Sequence, residues 1–270
     1  MRTVSRRPVR RRIPGVPGAC GFPAASRFPA APRFLAAPAI LAAPAFLAVA
    51  ALAASCSSGT AAQSAPGAAG ITCSYPDSGS PARPVDRPGS LNVPGYGTVP
   101  ATLRTSAGEI GLTLDRSSAP CAVHSFASLV RQKYFVHTPC HRLTVPPAPV
   151  SLLQCGDPTG TGAGGPGYAV QDEPPTGLVP ADGDPGAVVY PRGTVALSNH
   201  GVPDSGGSQF FLVYQDSPLP PTFSVLGQVD AASLPVLDAI VEAGADSATS
   251  PGDGHPLTPV TLQAVVLPAG

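Results

Sequence analysis

The sequence predicts a mainly β domain: a closed eight-stranded antiparallel β-barrel capped by two α-helices. About eight segments show strand-like patterns, whereas only two show helical periodicity. The two helical segments do not alternate with the strands, which disfavours a parallel sheet. Residues 99–268 hold this pattern, and a segment of that length is long enough to bury a full core.

The first predicted elements are a β-hairpin and a helix. Residues 101–105 and 110–114 alternate apolar and polar side chains on either side of a turn at residues 106–109. Residues 117–120 predict a helix start, with a serine at the N-cap and Pro120 in the first turn. The helix would bury one apolar stripe, made of Val123, Phe126, Leu129 and Val130.

Strand patterns return after this helix, at residues 140–143, 151–154, 194–197, 210–214, 223–229 and 260–267. A second helix is predicted over residues 234–243, with Ser233 as its cap and Gly244 as its end. Residues 157–191 contain few strand signals. This stretch is therefore predicted to be mostly loop.

The N-terminal third of the chain predicts export rather than a globular fold. Basic residues up to Arg33 precede an apolar stretch, 34–54, that prolines interrupt, so it is short for a spanning helix of ~20 residues. Residues 52–56 resemble a bacterial lipobox ending at Cys56. Residues 1–55 are thus expected to be a lipoprotein signal and Cys56 to be lipidated, with an uncleaved anchor and plain secretion as alternatives.

The residues that follow predict a tethered domain outside the cytoplasm. Residues 56–98 are rich in Ser, Gly, Ala and Pro, as in a disordered linker. An exported protein, anchored on the extracytoplasmic face of the cell membrane, is the expected outcome. We expect a monomer.

Four cysteines remain in the mature part of the chain: Cys73, Cys121, Cys140 and Cys155. An even number in an exported protein predicts two disulfides, with three possible pairings. Cys140 and Cys155 are expected on strands joined by one loop, which favours their pairing and leaves Cys73 for Cys121. Four buried thiols are the alternative.

Composition and spacing exclude several classes of function. The formal net charge is zero and the arginine-rich run precedes the apolar stretch, so no nucleic-acid partner is expected. Residues 160–165 match GxGxxG, but Pro166 follows instead of a helix, so these glycines predict a tight loop and not a nucleotide site. No histidine or cysteine pair has the spacing of a metal site, and no cofactor is expected.

The residues that point to a function lie on predicted neighbouring strands. Arg142, Gln154, Gln209 and Phe211 together can grip a peptide backbone beside an apolar pocket. They include no nucleophile and no acid–base pair. His141 is either catalytic or a structural histidine, and Arg142 taken alone could be a surface ion pair.

Over residues 101–267 the motifs resemble, in order, those of the cyclophilins, which are peptidyl-prolyl cis–trans isomerases. The motifs that carry the resemblance are the hairpin at 103–110, Ala119-Pro120 with Ser125-Phe126, Cys140-His141-Arg142, the run from Gln154 to Gly162, Gly164 to Tyr168, Asp172-Glu173, Tyr190 to Gly193, Ala196 with Asn199, Gly207 to Phe211, Leu219, and Val225 to Val229.

The resemblance implies a role for each matching residue. Arg142, Gln154 and Phe211 match the catalytic set, with Arg142 as the donor, Gln154 as its buttress and Phe211 against the proline ring. The substrate-binding positions implied are Leu152, Gln209, Asn199, Ser198, Leu219 and Phe223. The implied substrates are Pro-containing unfolded or exported polypeptides.

The sequence departs from the family at several of these positions. Residues 144–149 are extra, the pocket aromatic expected before Leu152 is absent, and Ser198, Phe223 and Pro218 replace the usual residues. The resemblance predicts an isomerase that assists the folding of exported proteins. The alternatives are a weak or inactive cyclophilin-like module that binds Pro-containing segments, and a scaffold lipoprotein without a ligand groove.

Overall fold

The structure, a computed structural model of the chain, describes residues 70–268. The predicted export signal, the lipidation candidate Cys56 and the first part of the predicted linker lie outside these residues. Within the described range, no helix is both long enough and apolar enough to cross a membrane.

The described residues form thirteen strands, two α-helices and one turn of 3₁₀ helix. In chain order they are β1 (Thr98–Thr105), β2 (Gly108–Asp115), α1 (Pro120–Arg131), β3 (Thr138–Pro139), β4 (Arg142–Thr144), β5 (Leu152–Cys155), β6 (Pro180–Ala181), β7 (Asp184–Tyr190), β8 (Thr194–Leu197), β9 (Phe210–Val213), β10 (Ser217–Leu219), β11 (Val225–Val229), the 3₁₀ turn (Ala231–Ser233), α2 (Leu234–Glu242), β12 (Asp253–Gly254) and β13 (Thr261–Val266).

Ten strands form one curled antiparallel sheet in the order β12-β4-β5-β9-β8-β11-β2-β1-β13-β3. The mainly β class with two helices is confirmed, but the sheet is open, so the expected closed eight-stranded barrel becomes a ten-stranded half-barrel. Each edge strand has only two residues, and Pro139 in β3 has no N–H to donate. Only Cys140 and His141 separate β3, at one edge of the sheet, from β4, which is next to the other edge strand, β12.

The concave face of the sheet holds the main core together with α1. The predicted stripe of α1 is buried, and Phe126 contacts Phe135 and Phe210 at ring-centroid distances of 5.2 and 5.4 Å. Burial of each such aromatic or aliphatic side chain contributes about 1.5–3 kcal/mol. The predicted hairpin is present as β1 and β2, with Leu103, Ile110 and Leu112 pointing into this core.

Neither helix is capped by the serine that local sequence suggests. The N-cap of α1 is Ala119, and the carboxylate of Glu173 accepts hydrogen bonds from the N–H groups of Cys121 and Ala122, at 3.0 and 2.9 Å. Ser233 lies at the N-cap of α2, but its hydroxyl accepts a hydrogen bond from Gly111 N–H. A tertiary contact thus replaces the local cap of α1, and α2 has no side-chain cap among the described residues. The predicted start of α1 at Pro120 is confirmed.

A second, three-stranded sheet lies in and beside the stretch that was predicted to be mostly loop. Its order is β10-β7-β6. It contributes Tyr190 and Leu219 to a smaller core cluster with Leu152, Phe211 and Val213 from β5 and β9. The small sheet thus covers the outer face of the large sheet, and the candidate site forms where this cover ends.

The N-terminal segment, residues 70–97, packs on the domain although it was predicted as linker. Ile71 and Val93 exchange backbone hydrogen bonds of 2.8 and 2.9 Å, and Tyr75 is buried with its hydroxyl donating to Cys121 O. Burial of Tyr75 and Val93, together with a disulfide, offsets the entropy of ordering this segment. Packing therefore begins by residue 70 rather than at residue 99.

Residues 70–268 contain two disulfides, Cys73–Cys121 and Cys140–Cys155, as the favoured pairing predicted. The first ties the N-terminal segment to the start of α1. The second joins the link between β3 and β4 to the end of β5.

Candidate active site

Three of the predicted residues lie in one row across the large sheet. Arg142 on β4 is directly opposite Gln154 on β5, and Gln154 is directly opposite Phe211 on β9. Directly opposed residues of antiparallel strands project from the same face of the sheet. Strand register therefore places the guanidinium, the amide and the phenyl ring side by side on the outer face.

A pocket of about 210 Å³ adjoins this row. Its floor is apolar and includes Leu152, Phe211 and Leu219, all buried. Phe223 stands over Phe211 edge to face, at a ring-centroid distance of 5.2 Å and an interplanar angle of 88°. The hydroxyl of Tyr190 holds this loop by donating toward Phe223 O and accepting from Phe223 N–H. The pocket suits a small apolar ring such as that of proline.

The guanidinium of Arg142 is oriented by a residue that the sequence did not reveal. Its Nε and Nη2 each donate to one carboxylate oxygen of Asp253, both at 2.8 Å. This hydrogen bonding raises the pKa of Arg142, so the side chain stays charged. The side chain of Arg142 is 39% exposed, and Nη1 makes no hydrogen bond within the described residues. That edge of the guanidinium is left for a ligand.

The extra residues after Arg142 help to place Asp253. Val145 N–H donates to Gly252 O at 2.7 Å, and β12 pairs with β4 through Asp253 and Thr144. Gly252 has a φ of +77°, and a Cβ there would overlap Val145 O. The insertion therefore supports the loop that carries the carboxylate.

Gln154 is fixed from behind by Gln209. Its Nε2 donates to Gln209 Oε1 at 2.9 Å and to Ser198 Oγ at 3.3 Å. Gln209 is buried, and its own Nε2 donates to the carbonyls of Gly162 and Gly164. Gln209 therefore positions Gln154 instead of lining the pocket. Within the described residues, Gln154 makes no hydrogen bond to Arg142; Asp253 provides the buttress that was expected from Gln154.

The glycine-rich run folds around a buried carboxylate. Asp157 accepts hydrogen bonds from the backbone N–H groups of Thr159, Gly162 and Gly164 at 2.7–3.0 Å. Burial opposes ionisation of Asp157, but the hydrogen bonds outweigh it and lower its pKa. Gly160 and Gly162 have φ values of +71° and +80°. The prediction of a tight loop is confirmed.

The remaining predicted residues lie at the rim of the pocket. Asn199 Nδ2 donates to Thr222 O and to the carboxylate of Asp172 at 3.3–3.4 Å, and Ser198 lines the wall beside Gln154. Val150 and His200 also line the pocket. The pocket and the row beside it thus bring together every predicted catalytic and substrate-binding residue except Gln209, which lies behind Gln154.

His141 does not line this pocket; it lines a neighbouring cavity of about 410 Å³ that Arg142 and Gln154 also border. Burial is the main cause that lowers its pKa, and the charge of Arg142 adds to the effect. Its Nδ1 is buried and has no hydrogen-bond partner among the described residues. A neutral histidine in this position supplies no acid at neutral pH. Within residues 70–268, no group of three His, Cys, Asp or Glu side chains is placed to hold a metal ion.

Comparison with known proteins agrees with this geometry. Residues 101–266 match the family model described as cyclophilin type peptidyl-prolyl cis-trans isomerase/CLD. Proteins named probable peptidyl-prolyl cis-trans isomerase B from Mycobacterium leprae and Mycobacterium tuberculosis are 46% and 45% identical over 203 residues. These matches cover 73% of this chain and 67% and 64% of the relatives, so the chain spans about two thirds of their length.

Solved structures show the same fold. A cyclophilin-type isomerase from Cryptosporidium parvum superposes with a TM-score of 0.52 at 23% identity, covering 64% of this chain and 99% of the other. A second structure of that protein was determined in the presence of the dipeptide Ala-Pro. The match over 101–266, the mycobacterial relatives and the fold lead to one conclusion: the chain belongs to the cyclophilin-type peptidyl-prolyl cis–trans isomerases.

Proposed function

We propose that the row of Arg142, Gln154 and Phe211 catalyses rotation about Xaa-Pro peptide bonds, with the adjoining pocket holding the proline ring. The observation that carries this proposal is the cross-strand register, which sets a charged donor and an amide beside an apolar pocket of proline size. The implied substrates are Pro-containing segments of unfolded polypeptides.

Rotation about an Xaa-Pro bond is slow because the nitrogen lone pair is delocalised into the carbonyl, which gives a barrier of ~18–20 kcal/mol. Twisting the bond localises that lone pair on the prolyl nitrogen. A hydrogen-bond donor near the nitrogen then interacts more strongly with the twisted state than with the planar one, which is the condition for catalysis. Arg142, charged and held by Asp253, is the donor in this site.

The rest of the site holds the substrate for this rotation. Leu152, Phe211 and Phe223 enclose the ring in an apolar pocket, so the acyl side turns while the ring stays fixed. The amide of Gln154 and the polar rim at Asn199 hydrogen-bond to the peptide backbone. The reaction needs no nucleophile, no proton transfer and no cofactor.

The direct test compares wild type with Arg142→Ala in isomerisation kinetics of a short Xaa-Pro peptide. Loss of a well-placed charged donor costs about 3–4 kcal/mol, or two to three powers of ten in kcat/KM. Arg104→Ala is the matched control, because Arg104 lies on β1, away from the pocket, and forms an ion pair with the exposed Glu109. Equal activity of wild type and Arg142→Ala, with both proteins folded, would remove Arg142 from the mechanism.

A catalytically weak module that binds Pro-containing segments is the second candidate. The observation that favours it is the ion pair with Asp253, which engages two of the guanidinium nitrogens of Arg142. Chemical-shift perturbation by an Ala-Pro peptide, measured beside turnover, separates the two functions. Binding without acceleration identifies the module, and acceleration identifies the enzyme.

We further propose that the protein acts outside the cytoplasm, tethered to the membrane through Cys56, as a folding assistant for exported proteins. The signal-like residues 1–55 and two disulfides, which persist in oxidising compartments, support this location. Metabolic labelling with a fatty acid tests the tether: Cys56→Ala should abolish the label, while Cys20→Ala should keep it. Labelling of both variants would assign the anchor elsewhere.

A further inference from the structure

The charges of the chain are divided unevenly between its two parts. All sixteen Asp and Glu residues lie between Asp77 and Asp253, whereas eight of the sixteen Lys and Arg residues precede residue 34. The described domain therefore carries eight cations against sixteen carboxylates. In such an acidic domain, each cation is expected to have an anionic partner nearby.

Five of the eight cations do have partners. Arg87, Arg104, Arg142 and Arg192 each form an ion pair with a carboxylate. Arg83 donates to two backbone carbonyls at 2.7 and 2.6 Å.

The other three cations are Arg116, Arg131 and Lys133, and their side chains form no ion pair or hydrogen bond within residues 70–268. All three line one groove of about 590 Å³, formed by β1, β13 and the C-terminal end of α1. We call it the basic groove. Together with burial, the charges of Arg131 and Arg116 lower the pKa of the nearby His124.

The basic groove is also apolar. Val99, Val130 and Val265 line it and are buried, and Val266 on its edge is 36% exposed. Tyr96 precedes the groove-lining Thr98 by two residues and is 61% exposed, and Gly97 O accepts a hydrogen bond from Arg116 N–H. Cations beside aliphatic side chains and an exposed tyrosine are the chemistry of a surface that lies on a membrane interface.

The path of the chain places a tether beside this surface. The described residues begin at Gly70, whose backbone lies against Asn92, and Ile71 pairs with Val93. Four residues separate Val93 from Thr98, so their Cα atoms are at most about 18 Å apart. A chain anchored upstream of residue 70 therefore enters the domain close to the basic groove.

We propose that the basic groove docks onto an anionic phospholipid surface and orients the domain on it. The docking surface rests on the proposed membrane tether. The repulsion between an anionic surface and the acidic remainder of the domain favours the same orientation. The pocket of the active site is lined by β4, β5, β9 and β10 and by the loops after β8 and β10. In the large sheet, β8, β11 and β2 lie between β9 and β1. Docking thus leaves the pocket open to clients.

The test uses the full chain bound to phosphatidylcholine vesicles or to vesicles that also contain phosphatidylglycerol. Hydrogen–deuterium exchange should slow at residues 96–100, 131–133 and 265–267 on the anionic vesicles alone. Lys133→Gln should lower the docked-to-undocked ratio about fivefold, and Arg131→Gln with Lys133→Gln about 25-fold. High salt should release the protection.

Arg104→Gln is the matched control, since it removes one cation on β1 outside the basic groove, and it should leave the protection unchanged. Equal protection on both lipids, or equal loss in the control, would overturn the docking surface. A chain that fails to sediment with neutral vesicles contradicts the tether alone, because protection of the groove by anionic vesicles is measured separately. Isomerase activity should be the same in all these variants, which shows that they are folded.

Discussion

At the scale of single residues, the geometry of the site depends on one carboxylate that contacts no part of the pocket floor. Asp253 has a side chain only 13% exposed and fixes the guanidinium plane of Arg142 through two parallel hydrogen bonds. A free arginine side chain would populate many rotamers. The ion pair removes that freedom before a substrate arrives.

We expect Asp253→Asn to lower kcat about tenfold, equivalent to about 1.4 kcal/mol, with little change in KM. The amide keeps one acceptor but loses the second and the charge, so the guanidinium is less well oriented during bond rotation. Steady-state kinetics on an Xaa-Pro peptide measures the split, and Asp253→Glu should restore part of kcat. Asp246→Asn is the control for disturbance of the same loop, since Asp246 accepts hydrogen bonds from Ala248 and His255 and does not contact Arg142. A loss of stability at unchanged kcat in Asp253→Asn would show a purely structural role.

At the scale of elements, a loop with no regular structure supports the strands of the site. Residues 157–165 fold around the carboxylate of Asp157 and present two carbonyls to Gln209, which in turn holds Gln154. The amide that faces the substrate is therefore fixed, through three layers of hydrogen bonds, by a buried charge. Loss of that charge is expected to loosen the loop and the amide together.

The lowered pKa of Asp157 determines how its contribution to stability changes with pH. Because its folded-state pKa is below the ordinary value of about 3.9, its contribution to stability is complete above that value and is lost as the pH falls through the folded pKa. Asp157→Asn should lower the free energy of unfolding by about 2–3 kcal/mol at neutral pH. Urea unfolding at pH 7 and in acid should show the gap from wild type closing in acid. The control is Asp184→Asn, because Asp184 is exposed and also accepts a hydrogen bond from a backbone N–H; this variant should be as stable as wild type at both pH values. If the difference in unfolding free energy between wild type and Asp157→Asn were the same at pH 7 and in acid, the charge of Asp157 would have no role.

The elements also show how far sequence reasoning reaches. Strand alternation and motif spacing were enough to predict β1, β2, α1 and most of the large sheet, because those segments carry their own periodicity. The small sheet was missed because its strands contain Pro180, Pro185 and Pro218, and proline is depleted in strands. Its stability comes from covering Phe211 and Leu152, which is a tertiary contact that no local pattern encodes.

The site residues that lie on strands with a clear pattern could be predicted from the sequence, and those outside such strands could not. Arg142, Gln154 and Phe211 share a row because each sits at a defined place in a strand. Asp253 is 111 residues away from Arg142, in a two-residue strand among turn-forming residues, so nothing local marks it. Glu173 at the start of α1 was missed as a cap for the same reason.

At the scale of the whole molecule, two disulfides tie the N-terminal segment and the site to the same domain. The Cys73–Cys121 bond closes a loop of 48 residues, and the Cys140–Cys155 bond closes one of 15. In the chain-entropy account, such loops contribute about 4 and about 3 kcal/mol. The bond farther from the pocket thus contributes about 1 kcal/mol more than the nearer one.

We expect the double variant Cys73→Ala with Cys121→Ala to lose about 4 kcal/mol of stability while keeping most of its isomerase activity. Residues 70–97 should exchange their amides faster, because Tyr75 and Val93 alone would hold them. The double variant Cys140→Ala with Cys155→Ala should lose about 3 kcal/mol and also activity, since these cysteines lie next to Arg142 and Gln154. Denaturant unfolding measures the stability, hydrogen–deuterium exchange measures the protection of residues 70–97, and peptide kinetics measures the isomerase activity. Equal loss of activity in both double variants would contradict the separation of the two bonds.

The Cys140–Cys155 bond has one more consequence, for the lifetime of the protein after damage. The insertion after β4 exposes Pro146, Pro147 and Pro149 to solvent, and the two cysteines lie on either side of it. A protease that cuts there divides the backbone between β4 and β5, but the two fragments remain one covalent molecule. The nicked protein should keep its sheet under oxidising conditions and separate into two pieces only when a reductant is added.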